Sequence, residues 1–414
     1  MKSTFKLLPL CAALACSGVV TSSWAQTSSQ DALLQKLEQM SAELQRLKAE
    51  VGQLKAAQTQ TEATAQQASQ SAAQAQTAVA ALPAYSGTGL KGPATVLTGY
   101  GEINYNRFSK RPNDTQADLR RAVLGVQHRF DDKTKFVGEF EWEHAVTSAG
   151  DRGEAAVEQA YIEHELNKKL SVRAGLFLIP LGLLNENHEP TAYYGVERNF
   201  VETAIIPSTW REGGVMLTGT TDQGFTWKVG VTTGFDLGKW DSTASEGKES
   251  PLGSIHQELQ LAKAKNLSVL GALDWRGYPG LLVGGGVFSG KAGHGALTGS
   301  NPTITVWDLH ARWTPGKWDL AAVYAAGSIS GTGPLNVAFA ADPTPIPSKF
   351  DGAYVQAAYN LWQQGDYQLK PFLRVERFNT AKAFAAFPAG LGRAADPYER
   401  VTTCLLYTSD AADE

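Results

Sequence analysis

Polar and apolar positions follow two different periods along this chain. Apolar residues fall at Leu33, Leu37, Met40, Leu44, Leu47, Val51 and Leu54, with spacings of four and three in turn. That is the a/d seam of a heptad repeat, and it predicts a coiled-coil helix with partner chains. The register continues through Ala65, Ala68, Ala72, Ala75, Val79 and Leu82, weakened at Gln58 and Thr61. Between parallel chains Glu43 would face Lys48 and Glu50 would face Lys55, each pair contributing little. Pro83 ends the helix, and 84–94 is a short linker.

From Thr95 the period becomes two. Leu97, Ile103 and Tyr105 share one face, opposite Thr98, Glu102 and Asn104. Phe136, Phe140 and Trp142 oppose Glu139, Glu141 and Glu143; Leu170, Val172, Ala174, Leu176 and Leu178 oppose Ser171 and Arg173. These are strands with one oily and one hydrophilic face. The same pattern fits a soluble sandwich and a membrane barrel. The connections separate them, because long and short ones alternate along the chain: DDKT, NKK, TTDQG, GYPG, TPGK and QQGD are short, and those between are long. An up-and-down meander with tight turns at one end and long loops at the other behaves this way. Aromatic residues near strand ends (Tyr105, Trp142, Trp227, Trp307, Trp313, Trp318, Tyr359) fit an interfacial girdle. The expected fold is therefore all-β, an up-and-down transmembrane antiparallel β-barrel over 95–403, preceded by a coiled-coil helix over 26–83.

Composition narrows the setting. Of 414 residues 43% are apolar and the formal net charge is −4, so nucleic acid is not an expected partner. The three cysteines are Cys11, Cys16 and Cys404, which leaves the body with neither a disulfide framework nor a thiolate metal site. Lys2, Lys6, the apolar run LLPLCAALACSGVV and Ser23-Trp24-Ala25 read as an export signal over 1–25. Signal, coil and barrel together place the protein in a Gram-negative outer membrane, in contact with its lipid, with the coil in the periplasm.

Candidate chemistry concentrates in the third long loop, about 180–207. Apolar islands there (Leu181, Leu183, Leu184, Ile205, Ile206) could pack on a barrel wall and fold the loop inward. Asn185, Glu186, Asn187, His188, Glu189, Tyr193, Tyr194 and Arg198 would then narrow the bore. A single His with no HExxH helix gives no reason to expect a metal, a catalytic site or a cofactor. Strand alternation puts Arg121, Arg129, Glu139, Glu141, Glu143, Glu163, Glu165, Arg173, His310, Arg312, Lys370, Arg374 and Glu376 on the lumen face. Opposed acidic and basic walls would set a transverse field across a wet channel.

The segment GLFLIPLGLLNENHEPTAYYGVERNFVETAIIPSTWREGGVMLTG resembles the phosphate-selective porin O/P family, and the likeness extends over 95–403. The resemblance implies a sixteen-stranded homotrimeric barrel passing small anions such as phosphate or dicarboxylates. Arg121, Arg129, Arg173, Arg312 and Arg374 are the basic residues that could serve. The face shared by Glu139, Glu141 and Glu143 departs from a basic lining. Thirteen full strands can be counted, with a fourteenth starting at Tyr398. The segment 404–414 does not alternate and is expected to be foreign to the natural protein, with two strands and part of a third missing and an open seam beside the first strand. Two other readings remain at this point: a barrel tethered to peptidoglycan through its coil, and a barrel enzyme.

Overall fold

The computed structural model describes residues 94–148, 151–241, 250–297, 300–338, 345–365, 367–385 and 398–408, with scattered positions between 41 and 52. The chain divides into two units, Met1–Ser86 and Gly87–Glu414. In the first, Ser41–Glu43, Gln45, Arg46, Lys48, Ala49 and Gly52 are helical and exposed. The export signal and the rest of the heptad seam lie outside the described residues.

The second unit is one antiparallel sheet. Its strands are β1 (Ala94–Asn106), β2 (Gln116–Arg129), β3 (Thr134–Glu143), β4 (Glu154–Asn167), β5 (Leu170–Leu178), β6 (Arg211–Thr220), β7 (Phe225–Thr232) and β8 (Ser268–Tyr278). There follow β9 (Leu281–Lys291), β10 (Thr303–Trp313), β11 (Trp318–Ile329), β12 (Lys349–Tyr359), β13 (Trp362–Gln364), β14 (Tyr367–Ala383) and β15 (Tyr398–Thr408). Each strand pairs with its sequence neighbour up to β12, which pairs with β14; the short β13 and β15 both pair with β14. Strict neighbour pairing is the up-and-down meander that the alternating connections predict. Two boundaries differ from expectation. The stretch ending at Trp362 is broken after Tyr359 into β12 and β13, and β15 continues through Thr408, beyond the expected limit at Thr403. Among the described residues β1 is paired along one edge only, with β2.

The two faces invert the soluble rule. Large apolar side chains stand exposed along the strands, Ile103 at 79% and Leu97 at 67%, with Leu124, Trp142, Val157 and Ile162 beside them. Charged groups such as Arg121, Glu141, Glu158, Asp308 and Arg374 are buried on the opposite face. A sheet that hides its charges and shows its aliphatics is solvated by hydrocarbon. No helix among the described residues is long and apolar enough to cross a membrane, so the strands do the crossing.

Two β-bulges break the alternation where charge is densest. In the β1–β2 ladder Glu102 pairs with Arg121 and Ile103 with Leu119, so Arg120 is the extra residue. In β3–β4 Glu139 pairs with Gln159 and Phe140 with Val157, so Glu158 is extra. A bulge lets two successive side chains share one face. Arg120 joins Arg121, and Glu158 joins Gln159, on the inner side.

Candidate functional site: a loop laid across the bore

The connection from β5 to β6, residues 179–210, enters the barrel. Its apolar residues Ile179, Leu181, Val201, Ile205, Ile206 and Trp210 are almost fully buried and join one core with Phe177, Met216, Phe288 and Val306 of the wall. Trp210 stacks on Phe235 at 4.9 Å and meets Phe288 edge-on at 4.5 Å. Parts of the β7–β8 and β11–β12 connections add to the same core: Leu252, Ile255 and Ile346, with Leu335 from the short helix α1 (Thr332–Ala338). The loop springs from neighbouring strands yet touches both β4 and β12, so the sheet must curl around it.

On the β11–β14 flank the loop is held by a helical turn, Val201–Ile205. Glu202 is its anchor. Its Oε1 accepts from the backbone N–H groups of Leu183 and Leu184 (2.8 Å for the latter), and its Oε2 accepts from Asn199 Nδ2 at 2.8 Å and from the Tyr354 hydroxyl of β12 at 2.9 Å. Burial pushes this carboxyl above its usual range, although all four donors pull it down. Gly182 faces the Glu202 carboxylate at φ 72°, where a Cβ would collide with Oε1. Only glycine suits both the backbone and the space. Nearby, Phe200 stacks on Phe378 at 5.2 Å, and its N–H donates to Glu376 at 2.8 Å. The Tyr194 hydroxyl donates to Asp319 at 3.0 Å, and Tyr194 packs on Phe372.

The β2–β4 flank is ionic. Arg120 meets Glu197 of the loop at 2.6 Å. His188 Nε2 lies 3.3 Å from Glu158 Oε2 and 3.9 Å from Glu139 Oε1. Glu186 pairs with Lys228 of β7. Burial, and then the nearby Arg121, hold the Arg198 guanidinium below its usual value; it donates to the His188 carbonyl at 2.6 Å and to Thr209 at 3.0 Å.

The wall charges named from alternation fall on the inner face, and most are paired. Arg121 bridges Glu102 at 2.9 Å and Glu141 at 2.8 Å, with Glu143 at 3.9 Å. Arg173 binds Glu163 at 2.9 Å, and Lys135 reaches Glu163 at 2.8 Å. Arg312 grips both oxygens of Asp319 at 3.0 and 2.7 Å. Arg374 lies 3.8 Å from Glu376. His310 sits between Asp308 at 2.6 Å and Asp274 at 3.0 Å. Arg129, at the short-turn end of β2, enters no ion pair among the described residues.

The loop residues divide differently from expectation. Glu186, Asn187 and Glu189 are exposed, as filter groups would be. Asn185 is not: it is buried, donates to the carbonyls of Ile179 and Trp210 at 2.7 and 2.8 Å, and accepts from Trp210 N–H at 2.7 Å. It staples the two ends of the loop together beside the backbone bond from the Ile179 N–H to the Trp210 carbonyl at 2.9 Å, taking up the donors and acceptors that this bond leaves over. His188, Tyr193 and Tyr194 are buried against the wall as well. Sequence reasoning missed Arg120, Glu158, Glu202, Asp308 and Asp319. The first two carried a signal, a doubled polar residue (Arg120-Arg121, Glu158-Gln159) inside an alternating strand. Glu202 carried none, since its wall partner is Tyr354, far along the chain.

A lipid-facing β-meander that encloses charged side chains and an inward-folded loop defines a transmembrane barrel channel. The chain belongs to the family Phosphate-selective porin O and P, whose model matches residues 96–380. It is an outer-membrane porin. An uncharacterised protein of Aquifex aeolicus (strain VF5) is 30% identical over 304 residues, spanning 71% of this chain and 67% of that one. Among solved structures, Salmonella typhi OmpF in complex with daunomycin is similar at TM-score 0.48 and 15% identity, over 75% of this chain and 85% of that one. The outer membrane channel DcaP of Acinetobacter baumannii is similar at TM-score 0.38 and 12% identity (77% and 98%). The anion-selective porin from Comamonas acidovorans is similar at 0.34 and 15% (76% and 98%).

Proposed function

We propose that this porin passes small hydrophilic solutes by passive diffusion, phosphate and dicarboxylates among them, with only a weak preference for anions. The observation that carries this reading is the neutralisation of the lining. Arg121, Arg173, Arg312 and Arg374 each have a carboxylate within ion-pair distance. A guanidinium already engaged by a carboxylate offers a passing anion little net field. Paired charges still orient a dipolar solute, which suits a general hydrophilic channel. Arg129 and Lys370 are the lumen-face basic groups that enter no ion pair among the described residues and are left to bias the bore. In a planar bilayer under a salt gradient, the full chain should give a reversal potential close to zero and slightly on the anion side. Arg129→Ala should move it toward cations, and Arg121→Ala should change it less. A steep anion preference that survives Arg129→Ala would overturn the reading.

The heptad seam supports an oligomer, and we take it to be the homotrimer that the family resemblance implies, with its coil in the periplasm and available for contact with peptidoglycan. Mass determination of the detergent-solubilised protein, with and without residues 26–83, tests the assembly. A monomer in both forms would refute it.

A further inference from the structure

Three side chains from three segments converge where the loop meets the β3–β4 wall. Glu139 comes from β3, Glu158 from the bulge in β4, and His188 from the loop; one ligand-capable atom of each lies within 4.8 Å of the others. Neighbouring groups hold them in place. Gln159 Nε2 donates to Glu139 Oε2 at 2.6 Å, which leaves Oε1 facing the imidazole. Arg198 fixes the loop backbone by its bond to the His188 carbonyl. Glu158 and His188 are buried, at 0% and 3% exposure.

Buried carboxylates need matching donors, and this cluster is short of them. Glu158 Oε1 meets no nitrogen or hydroxyl donor among the described residues; its further neighbour is another carboxyl, that of Glu141, itself held by Arg121, which crowds the site with acid. One explanation is an imidazolium ion pair. Such charge-assisted bonds close to about 2.7–2.9 Å, whereas His188 stands 3.3 and 3.9 Å from its two carboxylates. One imidazolium would also have to serve two carboxylates. The other explanation is a shared cation. Two ligands on a tetrahedral ion at about 2.0–2.1 Å lie roughly 3.3 Å apart, which matches the His188–Glu158 separation.

We propose that Glu139, Glu158 and His188 form a binding site for a divalent transition-metal ion of borderline softness, zinc being the natural probe. One imidazole and two carboxylates suit such an ion; calcium and magnesium prefer oxygen ligands alone, and the softest ions prefer sulfur. His188 is on the loop and both carboxylates are on the wall, so a bound ion clamps one to the other. Glu186 and Glu189, the carboxylates near His188 in sequence, lie outside the site. Glu186 is engaged by Lys228, and Glu189 is exposed.

The test uses the full chain, purified in detergent, stripped with a chelator and titrated calorimetrically with zinc chloride. One saturable site per chain is expected. His188→Ala and Glu158→Gln should each weaken it by at least about tenfold, and Glu186→Gln should leave it unchanged. Cobalt(II) in the same site should give the intense visible absorption of a four-coordinate ion. Should His188→Ala fail to fold, Glu139→Gln replaces it, since the amide can still meet Gln159. Absence of saturable zinc binding, or binding that survives the cluster substitutions, overturns the site. A weak six-coordinate cobalt spectrum overturns the proposed geometry.

Discussion

The loop inside the barrel is held by two flanks of opposite chemistry. On the β11–β14 side it is fastened by a buried carboxylate with four donors, a tyrosine hydroxyl and stacked aromatic rings. On the β2–β4 side it is fastened by an ion pair at an exposed rim and by the buried approach of His188 to Glu158. The first kind of contact is insensitive to salt; the second answers to ionic screening. One loop can therefore be firm at one end and adjustable at the other.

The largest expected effect comes from breaking the firm flank. Glu202→Ala leaves the N–H groups of Leu183 and Leu184, the Asn199 amide and the Tyr354 hydroxyl without their acceptor, at about 1–3 kcal/mol for each buried group left unmet. Single-channel conductance should become noisy and larger as the loop detaches. Wild-type conductance in this variant would show that the flank is not what holds the loop. Next comes Gly182→Ala, which sets a Cβ against the same carboxylate at a positive φ. It should lower the thermal midpoint by less than Glu202→Ala does, and a midpoint equal to wild type would count against the packing described.

A third test is pH. Burial raises the Glu202 carboxyl in the folded protein. Its contribution is therefore complete below the unfolded carboxyl range and is lost as pH rises through the higher folded value. Glu258, in the β7–β8 connection, works in reverse. Burial pushes it up, but His256 and Arg211 outweigh that and hold it below its usual range, so its contribution is lost as pH falls. The stability difference between wild type and Glu202→Gln should shrink from acid to neutral pH; a difference that grows would contradict the assignment. The smallest effect is expected at the rim. Arg120→Ala removes a partly exposed pair with Glu197, worth about 1 kcal/mol or less, and high salt should abolish even that difference.

Much of this architecture was legible in the residues. Phe136, Phe140 and Trp142 opposite Glu139, Glu141 and Glu143 gave the faces of β3, and the alternation of short and long connections gave the meander. The apolar islands at Leu181, Ile205 and Ile206 pointed to a loop that packs inward, and they do line the core. What the pattern could not carry was pairing across distance. Nothing near Glu202 points to Tyr354, and nothing near His188 points to Glu158. Period-two reasoning also assigns one phase to a whole strand, so it passes over an extra residue. Asn185 resembles a filter group in sequence because a polar side chain in a polar loop looks solvated; its three bonds to backbone make it a structural part instead.

The bulge in β4 has a consequence for how mutations are tolerated. Val157 and Ile162 both face lipid although they are five positions apart, an interval that an unbroken alternation would place on opposite sides. A scan of charged substitutions along β4 should therefore show harm at odd numbers before Glu158 and at even numbers after Gln159. Deleting Glu158 alone would remove the extra residue and merge the two halves into one unbroken alternation, so Val157 and Ile162 would keep their outward face while one inward carboxylate is lost.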